Sequence, residues 1–227
     1  GFSLALVCTS GDRFSYKLQK FYGDKISLVS GENFRALDEE FFSVLHAHLR
    51  GRAKKIKKFS PRPHQKRAIK NAVGHFVKDK ESRGKMIMPC GSGKSLAAYW
   101  IAEKLGAKRI LIAVPSLALI RQTLDVWARE SLASGRTIRW ICVCSDESVR
   151  DISNEDVSVL AQDLGVEVKR KPEEIAEWLS KRSKETSVVF VTYQSGEVLA
   201  EAASQSKRSF DLGIFDEAHK TVSKRKT

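Results

Sequence analysis

Apolar residues along this chain come in two rhythms. From about residue 85 onward, short and nearly continuous apolar runs alternate with longer stretches whose apolar positions recur three and four apart. The first pattern reads as a strand buried on both faces, the second as a helix with one apolar stripe. The runs predict strands at Lys85–Pro89, Arg109–Val114, Ile138–Val143, Val188–Thr192 and Leu212–Asp216. Helices are predicted near 64–79, 94–105, 116–131, 154–165, 172–184 and 195–203. Strands alternating with helices are the pattern of a parallel α/β sheet. The first fifty residues predict a smaller β-α-β-α segment. Its strands are Ser3–Cys8 and Ile26–Val29, with one helix running to about Phe21 and a second starting at Asn33.

The chain has 227 residues, room for one large or two small domains, and is 42% hydrophobic, which is enough for a packed core and argues against wholesale disorder. Its longest apolar stretch, Phe2–Cys8, is far short of the roughly 18 residues of a membrane helix, so no membrane partner is expected. That stretch has no basic flank and reads as a strand, not a leader. The four cysteines have no C-x-x-C spacing, which fits a reducing compartment such as the cytoplasm better than a disulfide framework or zinc site. Cys142 and Cys144 are expected in the core with their thiols on opposite sides. Trp100, Trp127, Trp140 and Trp178 are also expected there. His46 and His48 fall on different sides of a predicted helix and suggest no metal site.

Charge is concentrated. Of the net +13, ten basic residues and no acidic ones lie between Arg50 and Lys70. Such a block is an electrostatic footprint for polyanions, or else a solvated linker. Residues 50–61 are read as a basic linker closed by the Ser60-Pro61-Arg62-Pro63 punctuation. The acidic stretch Cys144–Arg170 has weak periodicity and is expected to be a surface excursion without chemistry.

Two motifs carry chemistry. Lys85 to Ser95 reads strand, glycine turn, helix start: KMIMPCGSGKS. Gly91 and Gly93 let the backbone around Cys90 and Ser92 curl so that N–H groups face phosphate oxygens, and the helix start adds its positive dipole end. Lys94 suits the β- and γ-phosphates and the Ser95 hydroxyl suits Mg²⁺. The full consensus places glycine where this chain has Met88. Downstream, the apolar run of FDLGIFDEAH ends in Asp216, suited to holding Mg²⁺ through water, followed by Glu217, suited to activating the attacking water. A phosphate loop and a strand-terminal acidic pair in one sheet make a nucleotide hydrolase site, with ATP and Mg²⁺ as the expected cofactors.

GSGKS at 91–95 and DEAH at 216–219 resemble motifs I and II of superfamily 2 DEAH-type helicases and translocases. RPHQ, ending in Gln65, resembles the element by which that family reads adenine, which implies that the Gln65 amide pairs with the base edge. VPSLALIRQ at 114–122 and VTYQS at 191–195 resemble its nucleic-acid-contact motifs, implicating Pro115, Ser116, Gln122, Thr192, Tyr193 and Gln194. The wording is most like the helicase parts of restriction–modification enzymes. The resemblance implies an N-terminal RecA-like P-loop NTPase domain over 62–227, acting on DNA mainly through its phosphate backbone. It further implies an incomplete motor whose second RecA-like domain and arginine finger lie elsewhere in a longer parent chain, so that this segment alone turns over very slowly; the alternative is a nucleotide- and DNA-binding module with negligible turnover of its own. Residues 1–49 are either the tail of a restriction-endonuclease-like domain or a small accessory segment.

Overall fold

The computed structural model describes residues 5–8, 26–29, 56–144 and 167–218, with isolated positions between 43 and 50. Near the N-terminus, β1 (Ala5–Cys8) and β2 (Ile26–Val29) pair in parallel, Ala5 opposite Ile26 and Cys8 opposite Val29. Parallel neighbours need a crossover connection, as a β-α-β unit supplies. The helices expected around Phe21 and beyond Asn33 lie largely outside the described residues, as does His48.

The second sheet is the body of the fold. In chain order its elements are α1 (Pro63–Val73), α2 (Lys94–Leu105), β3 (Arg109–Val114), α3 (Leu117–Ala133), β4 (Ile138–Val143), β5 (Val168–Lys169), α4 (Pro172–Ser180), β6 (Thr186–Thr192), α5 (Gly196–Ser206) and β7 (Leu212–Phe215). The five strands lie in the order β5-β4-β6-β3-β7, and every pairing is parallel. The expected parallel α/β sheet is present. Alternation along β6 shows why its run is apolar throughout. Val188 and Phe190 face a core built with α1, α2 and α3, whereas Val189 and Val191 face a second core built with α4 and α5. Both faces of the sheet are covered, so both sets of side chains leave water. Trp100, Trp127 and Trp178 are buried as expected, with Trp127 meeting Tyr99 edge-on at 5.2 Å, and Trp140 is partly buried against the first core.

Several expectations are corrected. Lys85–Pro89 is not a strand: residues 83–89 run without regular structure, and Ile87 is 82% exposed. A strand exists only through its ladder, and no described strand lies beside this segment, so its apolar composition is not sufficient. The helix expected over 64–79 ends its α-helical part at Val73 and continues as a π-helical turn, Gly74–Lys78, closed by the Asp79 N–H on the Gly74 carbonyl at 3.2 Å. The stretch read as a surface excursion ends in a strand, β5, whose Val168 is buried and pairs with Cys142. Two residues are too few to show a period in sequence. Cys142 and Cys144 share one face instead of opposing each other, because residues two apart along an extended chain return to the same side. Both are buried, and the bond between the two side chains together with burial raises the Cys142 thiol well above its ordinary value. The helix expected near 154–165 lies outside the described residues.

Register at the start of β7 is set by one carboxylate. Asp211 accepts from the backbone N–H groups of Lys108 at 3.0 Å and Arg109 at 2.8 Å, and from the Arg109 guanidinium at 3.2 Å. Burial pushes its pKa up, but these donors outweigh that effect and hold it below the ordinary 3.8. The folded-state pKa being depressed, this stabilisation is complete above pH 3.8 and is lost as pH falls through the folded value. Asp211→Asn is therefore expected to cost about 1 kcal/mol at neutral pH, since the ion pair is solvent-screened, and to lower Tm by a few degrees. Thermal unfolding across pH checks this: the gap between wild type and variant closes below the carboxylate's pKa.

Candidate nucleotide site

The turn between residue 89 and α2 has the backbone that its glycines permit. Gly91 has φ +71° and Gly93, the residue that opens α2, has φ +80°. Both are left-handed conformations that cost an ordinary residue about 1–2 kcal/mol. The Ser92 hydroxyl and N–H both donate to the Pro89 carbonyl, at 2.6 and 3.3 Å, which closes the turn. Cys90 and Gly91 are exposed at its tip, and Ser95 sits half-buried in the first turn of α2.

Gln65 holds this loop. Its side chain is 3% exposed, and both ends of the carboxamide are engaged. Oε1 accepts from the Arg62 N–H at 2.8 Å, and Nε2 donates to the carbonyls of Ser92 at 3.0 Å and Gly93 at 3.4 Å. The atoms that sequence reasoning assigned to an adenine edge thus have partners within the chain, Nε2 on the loop and Oε1 on the N-cap of α1. His64 Nε2 lies 3.1 Å from the Ser92 carbonyl and braces the same turn.

The acidic pair arrives from the other side. β3 is flanked by β6 and β7, with Val114 opposite Thr192 and Ala113 opposite Phe215. The Asp216 N–H extends this ladder to the Ala113 carbonyl at 3.0 Å. Asp216 Oδ1 accepts from the Glu217 N–H at 3.0 Å, and Glu217 takes the left-handed φ of +52°. Non-glycine residues rarely adopt this conformation, and it concentrates at functional positions. Its carboxylate meets Lys94 Nζ at 3.2 Å. Lys94 is raised above its ordinary pKa, first by that hydrogen bond and then by the nearby charges of Asp216 and Glu217, which together outweigh burial. The structure therefore brings Lys94, Asp216 and Glu217 together beside the glycine loop.

The expected nucleic-acid residues divide into two groups. Ser116, Gln122 and Gln194 are exposed, and the Ser116 hydroxyl caps α3 by accepting from the Leu119 N–H at 3.4 Å. Pro115 is half-buried in the turn before it. Thr192 is fully buried, so its hydroxyl serves the fold and not a phosphate: it donates to Ser195 Oγ at 3.1 Å. The Tyr193 phenol also turns inward and donates to the Asp216 carbonyl. Burial, then the charges of Asp216 and Glu217, push its pKa up to about 12, so it remains a donor at neutral pH.

Sequence reasoning also missed where the linker lands. The Phe59 N–H donates to Glu130 Oε1 at 3.3 Å, and the Arg129 guanidinium lies 3.6 Å over the Phe59 ring while donating to Glu130 at 3.0 Å. Glu130 is 1% exposed, and a buried carboxylate is stable only with such partners. The signal was present, for Glu130 stands three residues after Trp127 on the buried stripe of α3.

The family model described as "Type III restriction enzyme, res subunit" matches residues 58–227. The chain belongs to this family. Beyond the res-subunit match, the chain is 29% identical over 150 residues to a "Probable helicase" of African swine fever virus, and 27% over 148 residues to the same protein of three other isolates. Each alignment covers 65% of this chain and 15% of the viral protein. A solved structure, a nuclease-deletion mutant of the Type ISP restriction–modification enzyme LlaGI in complex with a DNA substrate mimic, is similar at 34% identity with a TM-score of 0.57. That likeness covers 71% of this chain and 15% of the LlaGI chain, so this chain spans about 15% of the length of these relatives. The five-stranded parallel sheet thus matches a RecA-like helicase domain, as the res-subunit family implies.

At Gly93 an added Cβ would stand 2.4 Å from Gln65 Nε2. Gly93→Ala is expected to lower stability by about 2 kcal/mol or more, from the left-handed backbone and this clash together. In a Gln65→Ala background the same substitution is expected to cost less. Denaturant unfolding of the double-mutant cycle checks this, and equal costs in the two backgrounds would contradict the close approach.

Proposed function

We propose that this chain is the ATP–Mg²⁺-binding motor domain of a DNA helicase or translocase of the restriction–modification type. The observation that carries the reading is the ion pair between Lys94 of the glycine loop and Glu217 of the acidic box. It brings a phosphate-binding cation and a water-activating base, 123 residues apart, to 3.2 Å. The donor set fits the nucleotide: a turn built on two left-handed glycines, a helix N-terminus and a lysine for phosphate. The Ser95 hydroxyl and the Asp216 carboxylate are hard oxygen donors of the kind Mg²⁺ takes. When bound, Mg²⁺ supplies neutralising charge to the β- and γ-phosphate oxygens.

The chain's own groups account for the rest of the chemistry. Lys94 exchanges its Glu217 partner for the phosphates. Glu217 then accepts a proton from the water that attacks the γ-phosphorus as the bond to the leaving ADP oxygen breaks. Lys94→Ala is expected to weaken Mg²⁺–ATP binding about 10- to 100-fold, the worth of charge-assisted bonds to phosphate. Calorimetry checks it, and equal affinity in both proteins would refute the assignment. Glu217→Gln is expected to retain binding while abolishing whatever hydrolysis the motor performs.

DNA is the polyanion that the basic run suits. Lys57 and Lys58 are exposed just before the clamp at Phe59, and the exposed Ser116, Gln122 and Gln194 lie at the carboxyl ends of β3 and β6 or in the helices that follow. Strand-end positions that open helices suit phosphate binding. Affinity is expected to fall steeply with salt. Replacing Lys54, Lys55, Lys57 and Lys58 with Ala is expected to flatten the slope of log K against log salt by about 0.9 for each duplex phosphate that the variant leaves unneutralised. An unchanged slope would reduce the run to a solvated linker.

A further inference from the structure

The phenol of Tyr193 joins two motifs that the proposed function uses separately. β6 ends in the buried Thr192, and the chain turns at once through a 3-10 turn, Tyr193–Ser195, into α5. The Thr192–Ser195 hydroxyl pair ties the two ends of that turn together. Of its three residues, Gln194 is exposed, Ser195 is buried, and Tyr193 reaches past the end of β3, the strand between β6 and β7, to the Asp216 carbonyl. That carbonyl belongs to the same peptide group as the Glu217 N–H, which donates to Asp216 Oδ1. Planarity of the peptide ties the two atoms together, so a hydrogen bond to the carbonyl also restrains the N–H. Glu217 leaves that peptide with a left-handed φ and its carboxylate meets Lys94 at 3.2 Å, so the peptide's orientation bears on where the carboxylate lies.

We infer that Tyr193 is a positioning residue that couples nucleic-acid contact on the Gln194 turn to the orientation of Glu217 beside the phosphate loop. The inference rests on the proposed function, since it needs both ligands. A turn that shifts when a strand engages Gln194 carries the phenol with it and so rotates the Asp216–Glu217 peptide. Strand and nucleotide then act on one element, and their binding free energies are linked reciprocally.

The test measures that linkage, not either affinity alone. A fluorescent ATP analogue with Mg²⁺ is titrated into the chain with and without a thymidine oligonucleotide, in wild type and in Tyr193→Phe, which removes only the hydroxyl. In wild type the oligonucleotide is expected to change nucleotide affinity by about fivefold or more, and the nucleotide to change oligonucleotide affinity by the same factor. In Tyr193→Phe both ratios fall to about one. A spectrum of wild type alone gives a second readout: the Glu217 amide resonance moves when the oligonucleotide is added. Coupling retained in Tyr193→Phe overturns the inference. So does a wild type that binds both ligands independently, with a stationary Glu217 resonance, and that outcome leaves the functional reading standing. Failure of wild type to bind nucleotide or oligonucleotide at all would overturn the functional reading and the inference together.

Discussion

A single carboxamide, that of Gln65, sits between α1 and the glycine loop and determines where the loop can be. The segment that enters the loop, residues 83–89, pairs with no strand among the described residues. Instead Nε2 of Gln65 donates to the carbonyls of Ser92 and Gly93 while Oε1 accepts from Arg62. A buried primary amide left without such partners costs about 1–3 kcal/mol, so the bonds hold loop and helix together from both directions. Gly93 must lack a side chain for this approach, and Lys94 follows Gly93 directly. The position of Lys94 is thereby inherited from a glutamine 29 residues earlier in the chain.

The other half of the site depends on register. Three parallel strands, β6, β3 and β7, end level with one another, so that Thr192, Val114 and Asp216 open their turns along one edge of the sheet. In open α/β sheets the carboxyl edge is where ligands bind, because each strand there releases its chain into a loop or a helix N-terminus. Asp211 fixes that register from the far end of β7 by holding the amides of Lys108 and Arg109. Glu217 reaches Lys94 because the β7 edge and the Gln65-held loop are both fixed independently. The pair at 3.2 Å is where the two constraints meet.

Much of this was legible in sequence. β3 and β4 fall where continuous apolar runs predicted them, and β6 starts two residues early, because a strand covered on both faces has no polar face to confuse it. Lys85–Pro89 has the same composition but is not a strand, since composition says nothing of which neighbour supplies the ladder. Gln65, Lys94, Asp216 and Glu217 were named from motifs, yet motifs give residues and not partners. Nothing in RPHQ says that the amide faces the loop, and nothing in VTYQS says that the phenol crosses to Asp216. Such pairings join residues tens of positions apart and leave no period to read. Glu130 was the exception: an acid on an apolar helical stripe announces that something must meet it, and the Phe59 amide and Arg129 do.

Under the proposed function, the contact of Gln65 with the carbonyls of Ser92 and Gly93 makes it act on nucleotide binding through the loop and not through the base. Binding of Mg²⁺–ATP and Mg²⁺–GTP to wild type and Gln65→Ala separates these roles. A residue that holds the loop serves the phosphates, which both nucleotides share, so the account predicts that Gln65→Ala weakens both by the same factor. A residue that reads adenine would leave GTP affinity unchanged while ATP affinity falls, and that result would contradict the account.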